Sequence, residues 1–401
     1  MTQPGGTGAA RSRASFLSQR IAGSAGRPLR PNAKVLPEHA RGHNRALVLQ
    51  TLFTAGQQSR ADVARSTGLT RVTVSDLVTE LMAEALLVET GQRDGPRPGK
   101  PAILLDIDRS AFQIVGIDLS DSEVFRGAVL DLGGTILRRV ELAIAGTVGE
   151  AALEQLFSLI ESLLATVTAP LLGIGVGSPG IVDLAGTVVS APNLHWTGLP
   201  LRAELSERFG VPVVVANDAN AAVLAEHSYG DAQGDLMLVR VGRGVGAGLL
   251  LGGTLLHGSR FAAGEIGHVV VGTDGGELCS CGKHGCLETW LAAPRLEAKL
   301  GEAERDPDPA ASRTLILREA GTRLGIALAP IVGALNLSEV VLSGPDSLLG
   351  GSLTAAALET IRGRTMDRFH GGLALRLSTL GDDIVLRGAA VMVISSRLGV
   401  S

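Results

Sequence analysis

The sequence predicts an α/β protein in two parts, a small helix-turn-helix head over residues 41–107 and a two-lobed α/β body over residues 108–401. Three observations predict this. Between residues 42 and 105, two amphipathic segments, a glycine turn and a basic tip follow one another in order. Beyond Asp108, short apolar runs alternate twice with helix-length segments, as in a duplicated α/β body. The charge also changes sign between the two parts: residues 1–105 hold 14 Lys/Arg against 7 Asp/Glu, and the remaining 296 hold 22 against 33. A basic head on an acidic body points to a polyanion that meets the head alone.

Ahead of the head, residues 1–40 carry five arginines and one lysine among Gly, Ser and Pro, with no apolar core of a signal peptide. They read as a disordered basic tail. Apolar stretches stay shorter than the roughly 18 residues a membrane span needs, so no membrane partner and a cytoplasmic location are expected. The 53 glycines cluster in short loops between apolar runs, not in a repeat.

In the head, GHNRALVLQTLFT (42–54) places Ala46, Leu47, Leu49, Leu52 and Phe53 at helical spacing. Ser59 is a candidate N-cap with Asp62 as its capping-box acid, and Ala61, Val63 and Ala64 are expected to face the core. Gly68 supplies the turn, and Thr70 caps a second helix running to about Glu84. Arg60, Thr70, Arg71, Thr73 and Ser75 are short polar or basic groups of the kind that meet base edges and phosphates in such motifs. Two short strands flank GQRDGPRPGKP, whose Arg93, Arg97 and Lys100 suit a phosphate-binding wing. The expected partner is double-stranded operator DNA, read by a homodimer or homotetramer.

In the body, strands are expected at 113–119, 124–131, 171–177, 211–217, 236–242, 247–253 and 339–344, with helices between them. Ligands of such bodies sit at the carboxyl ends of the strands. The three cysteines, Cys279, Cys281 and Cys286, fall within eight residues, with His268 eleven residues upstream of the first and His284 among them. Three thiolates and one imidazole make a closed structural zinc set, and spacing alone leaves His268 and His284 as rival fourth ligands. A disulfide would leave one cysteine over.

GSPGIVD (177–183), APNLHW (191–196), ANDANAAVLAE (216–226), GRGVGAG (242–248), GEIGH (264–268) and CSCGKHGCLE (279–288) occur in the order found in the ROK family of repressors, open reading frames and sugar kinases, which the chain resembles from about Arg41 to its end. The resemblance implies the two-lobed actin-like, sugar-kinase (ribonuclease H-like) ATPase fold behind a winged helix-turn-helix. It implies a sugar site of Asn193, Asn217, Asp218, Glu265, His268 and Glu288, and it favours His268 as the zinc ligand, in a loop spanning 268–286. In the family's kinases the aspartate matching Asp218 is the general base toward the sugar hydroxyl.

One motif departs from the kinase pattern. Where such a kinase carries Asp-x-Gly-Gly-Thr-Lys, whose backbone N–H groups wrap phosphates, this chain reads Asp118-Leu119-Ser120-Asp121-Ser122-Glu123. Asp131-Leu132-Gly133-Gly134-Thr135 copies the motif by letter but suits a hairpin turn between strands. Gly242-Arg243-Gly244 and Gly344-Pro345-Asp346 also depart from the kinase form. The expectation is a non-enzymatic regulator that binds a sugar or sugar phosphate, most simply a repressor; the alternative is an ATP-dependent sugar kinase with Asp218 as base.

Overall fold

The computed structural model describes residues 37–92, 102–232, 234–272, 275–366 and 372–400. The tail up to residue 36 and the wing-tip residues Arg93, Arg97 and Lys100 lie outside the described residues. The chain divides into two compact units, one of residues up to 112 together with 393 onward, the other Gln113–Met392.

The first unit contains α1 (Pro37–Ala55), β1 (Gln58–Ser59), α2 (Arg60–Thr67), α3 (Arg71–Ala83), β2 (Leu87–Gln92) and β3 (Ile103–Ile107). Helix α1 starts at Pro37, within the segment expected to be tail; proline's fixed φ suits a first helical turn. Ser59 closes the capping box: its Oγ accepts the Asp62 N–H at 3.2 Å, and Asp62 accepts the Ser59 N–H at 3.2 Å. Gly68 ends α2 at φ +71°, and Thr70 caps α3 by accepting the Thr73 N–H at 3.1 Å. Val63 and Ala64 are buried, but Ala61 is exposed; the capping box turns Asp62 inward in its place. The strands pair antiparallel with β3 central, flanked by β1 and β2. Strand β1, only two residues long, is too short to carry a period-2 signal in the sequence.

The second unit is one topology used twice. Its first lobe has β4 (Gln113–Asp118), β5 (Val124–Asp131), β6 (Ile136–Ala143), α4 (Gly149–Leu164), β7 (Leu171–Ser178), the small sheet of β8 (Ile181–Val182), β9 (Val188–Ala191) and β10 (Trp196–Leu199), α5 (Leu201–Phe209), β11 (Val213–Asn217) and α6 (Asp218–Tyr229). Its second has β12 (Leu236–Val241), β13 (Val245–Leu251), β14 (Thr254–Leu255), α7 (Leu287–Leu291), α8 (Ala293–Ala303), α9 (Pro309–Leu335), β15 (Glu339–Ser343), α10 (Asp346–Leu349), α11 (Ser352–Arg364), β16 (Ala374–Leu377) and the greater part of α12 (Ile384–Leu398), whose residues from 393 onward fall in the first unit. The sheets run β11-β7-β4-β5-β6 and β14-β13-β12-β15-β16. In each, an antiparallel meander lies on one side of a central first strand and two parallel strands on the other. Strands β4 and β12 are therefore counterparts, and so are the hairpin turns that follow them, 119–123 and 242–244. The Gly133-Gly134 segment is the β5–β6 turn, where Asp131 accepts the N–H groups of Gly133 and Thr135 at 2.8 Å. Those two N–H groups are thereby engaged within the hairpin turn.

Helix α12 packs on the first sheet through its backbone. A Cβ added at Gly116 of β4 would lie 2.7 Å from the Leu386 carbonyl oxygen, and one at Gly175 of β7, its strand neighbour, 2.1 Å from that of Ala389. On the helix itself, a Cβ at Gly388 would lie 1.9 Å from the Ala221 carbonyl oxygen of α6. Backbone cannot yield as a side-chain tip can, so Gly175→Ala should cost about 1–3 kcal/mol of stability, the usual range for an overpacked core. Gly301→Ala on α8, where a Cβ meets nothing within 4 Å, should be neutral or gain up to about 1 kcal/mol. Denaturant melts of the two variants side by side check both.

Candidate functional site

Asp218 opens α6 directly after β11, at the carboxyl end of a strand in a five-stranded sheet. Asn217 caps that helix, its Oδ1 accepting the N–H groups of Ala219 and Asn220 at 2.9 and 3.1 Å while its Nδ2 donates to the Gly180 carbonyl at 2.8 Å. The Asn217 amide is thus engaged at both ends and works first as a brace for Asp218. Asp218 Oδ1 accepts the Ala219 N–H at 2.9 Å, and Oδ2 accepts from Arg240 Nη1 at 2.9 Å.

Arg240 reaches this point from β12 in the other lobe. Its Nη2 donates to Ser120 Oγ at 2.7 Å and lies 4.0 Å from Asp118 Oδ2, an oxygen that is buried without a hydrogen-bond partner. Burial pushes the Asp218 carboxyl above the ordinary range; the Arg240 guanidinium opposes that, and the neighbouring Asp118 reinforces it. Just outside this pair, Arg243 of the β12–β13 turn bonds Glu123 at 2.9 Å and lies 3.5 Å from Asp121. Asp121 also accepts from Arg126 at 3.1 Å. Burial raises the Asp121 carboxyl, but the Glu123 N–H, Arg126 and Arg243 outweigh it and bring the net value down. The two hairpin turns are thus joined by arginine–carboxylate pairs. Arg240 escaped the sequence reading, although a charged residue near the end of the apolar run LMLVRVG was its signal.

Glu265, His268 and Glu288 lie together. Burial raises the Glu265 carboxyl, with His268 lowering it and Asp218 and Glu288 raising it further. Glu288 accepts the Val245 N–H at 3.4 Å, and a Cβ on Gly244 would come within 2.8 Å of its Oε2. Asp218, Glu265, His268 and Glu288 therefore share one neighbourhood. Asn193 sits exposed on a one-turn helix (Pro192–Leu194), and no hydrogen bond among the described residues ties it to that group.

Beside these acids, His268, Cys279, Cys281 and Cys286 bring one ligand atom each within 4.8 Å of one another. His268 Nδ1 is 3.5 Å from Cys279 Sγ, and Cys281 Sγ is 3.6 Å from Cys286 Sγ. Such separations match the edges of a tetrahedron with metal–sulfur bonds of about 2.3 Å. His284 is exposed and bonds the Gly276 carbonyl at 3.0 Å, so the geometry selects His268. This cluster could hold a metal ion.

In the head, Arg71, Val72, Ser75, Asp76 and Thr79 form the exposed side of α3, opposite buried Val74, Leu77, Val78 and Leu81. Thr70 and Thr73 are bonded to each other as the helix cap, Oγ1 to Oγ1 at 2.9 Å. Arg60 is held 3.2 Å from Glu89 of β2. Val72, 72% exposed, was passed over in the sequence because it lacks a polar group.

The model of the ROK family matches residues 114–396. The chain belongs to the ROK family. It is 31% identical over 386 residues to a putative xylose repressor of Caldicellulosiruptor sp. (strain Rt8B.4), covering 88% of this chain and 96% of that protein. A glucokinase of Halalkalibacterium halodurans is 33% identical over 56% of this chain and 76% of its own length. A crystal structure described as a ROK family transcriptional regulator, a homolog of the E. coli Mlc protein, superposes with a TM-score of 0.78 at 23% identity over 90% of this chain and 98% of that one. The family's two-lobed sugar-kinase-like fold is thereby shown for this chain.

A carboxyl raised by folding stabilises the fold below its unfolded pKa of about 4 and withdraws that stability as pH climbs through its folded value. Asn cannot ionise, so the melting temperature of Asp218→Asn should rise relative to wild type as pH goes from about 5 to about 8. A difference that moves the other way would mean that the pair with Arg240 outweighs burial.

Proposed function

We propose that the protein is a DNA-binding transcriptional repressor whose grip on its operator is controlled by a sugar or sugar phosphate bound within residues 108–401. The observation that carries this reading is the span of the match to a xylose repressor, which covers 88% of the chain, whereas the match to a glucokinase covers 56%. Residues 41–107 act as the DNA-binding domain. Arg71 and Ser75 on the exposed side of α3 serve base and phosphate contacts, with Arg97 and Lys100 on the wing; Arg60, Thr70 and Thr73 support the helix pair. Asp218, Glu265 and Glu288, with Asn193, Asn217 and His268 around them, form the sugar site, where buried acceptors suit hydroxyl donors.

Kinase activity is absent on this reading. Asp121 and Glu123 occupy the turn that would wrap phosphate, and Arg243 from the facing turn already holds them. An anionic nucleotide tail would meet carboxylates where it needs N–H donors. The repressor works as a homodimer or homotetramer, because a palindromic operator needs paired heads at fixed spacing. Sugar binding changes that spacing by favouring one arrangement of the lobes.

Zinc fills the His268, Cys279, Cys281 and Cys286 set. Four protein ligands leave no position for water, so its role is structural: it would hold the 268–286 loop, whose two ends adjoin Glu265 and Glu288. Purified protein should contain one zinc per chain by elemental analysis, and Cys286→Ser should lose the metal and melt at lower temperature. Zinc-free wild type of undiminished stability would refute the assignment.

Fluorescence anisotropy with DNA from upstream of the protein's own gene tests the main reading. A complex at moderate salt, weakened about tenfold or more by one member of a sugar panel, corresponds to a coupling of about 1.4 kcal/mol. No complex at any sugar concentration, or ADP formation from ATP with one of those sugars, would overturn it.

A further inference from the structure

Arg240 stands in the second lobe, and the side chains it bonds or pairs with among the described residues stand in the first. One nitrogen bonds Asp218 at 2.9 Å, and the other bonds Ser120 at 2.7 Å and lies 4.0 Å from Asp118. Its side chain is 20% exposed, that of Asp218 15% and that of Asp118 1%, so the group is shielded from water. We propose that Arg240 is a positioning residue of the sugar site: it is the second lobe's clasp on Asp218, so that the acceptor a sugar hydroxyl needs is held in place only while the two lobes are together. The proposal rests on the reading of Asp218 as a sugar contact.

The chemistry follows from valence and burial. Asp218 spends one lone pair of Oδ1 on the Ala219 N–H and one of Oδ2 on Arg240, which leaves each oxygen able to accept a hydroxyl proton. Parting the lobes would strip two shielded carboxylates of the one cationic partner they have among the described residues, a costly state. A sugar hydroxyl bonded to Asp218 adds weight to the closed arrangement, since it binds best where the carboxylate is already oriented. A guanidinium suits the task because its planar fork can serve Asp218 and Ser120 together; an ammonium is a point charge. Arg243, bonded to Glu123 and near Asp121, repeats the same cross-lobe grip at the rim.

The test is calorimetric titration of the full chain with a panel of pentoses, hexoses, N-acetylhexosamines and their phosphate esters, followed by variants with the sugar that binds. Arg240→Met should weaken that sugar by at least about tenfold, and Arg240→Lys should recover part of the loss. Ser120→Ala should also weaken binding, although on this reading Ser120 acts only through Arg240. If Arg240→Met does not fold, as judged by its melt, Arg240→Lys and Ser120→Ala carry the test. Wild-type affinity in these variants, alongside lost affinity in Asp218→Asn, overturns the clasp and leaves the sugar reading standing. Failure of the wild type to bind any of the panel overturns both.

Discussion

Backbone-on-backbone packing of α12 is the constraint on which the body depends. Gly116 and Gly175 are neighbours across β4 and β7, and each leaves room for a carbonyl of the helix where a methyl group would collide. Gly388 does the same between α12 and α6. The last helix of the second lobe is thereby seated on the central strands of the first, and the buried cluster of Ala221, Val223, Leu236, Leu238, Val341, Val385 and Ala389 fills in around it. Interiors packed this closely tolerate few volume changes, so the strand ends bearing Asp118, Asp218 and Arg240 sit on a firm base.

On that base the duplicated topology brings two hairpin turns into contact. They meet through Arg243 of one turn against Asp121 and Glu123 of the other, and beside them Arg240 of β12 meets Asp118 of β4 and Asp218 of α6. The outer pairs are largely exposed and contribute little each. The inner one matters more, because Asp218 and Asp118 are shielded and a lost partner would leave charge without compensation. Asp218 is thus tied to an arginine, and Glu265, raised by its own burial, stands near it.

Much of the fold was legible in the sequence. The helix-turn-helix was marked by Ser59, Asp62, Gly68 and Thr70, whose capping and turn roles are local and recur in the structure. The strands of both lobes were marked by apolar runs of the right length, and the cysteine triplet by its spacing. Three features were less legible. Ala61 was placed in the core by periodicity, yet the capping box turns Asp62 inward there. The two-residue β1 exists only through its pairing with β3. Thr70 and Thr73 bond each other as a cap, so the exposed side of α3 falls to Arg71, Val72, Ser75, Asp76 and Thr79.

By itself the sequence determined the element types, the twofold repetition of the body, the set of candidate metal ligands and a turn without glycine at 119–123, because each is written in local spacing and residue type. Tertiary structure decided which residues meet. His268 rather than His284 completes the cysteine cluster because the chain folds back over eleven residues to bring its Nδ1 within 3.5 Å of Cys279. Arg240 meets Asp218, Asp118 and Ser120 because two sheets built from distant segments of the chain bring these side chains together. No local pattern encodes a contact between residues 120 and 240; it exists only once both lobes have folded and α12 has joined them.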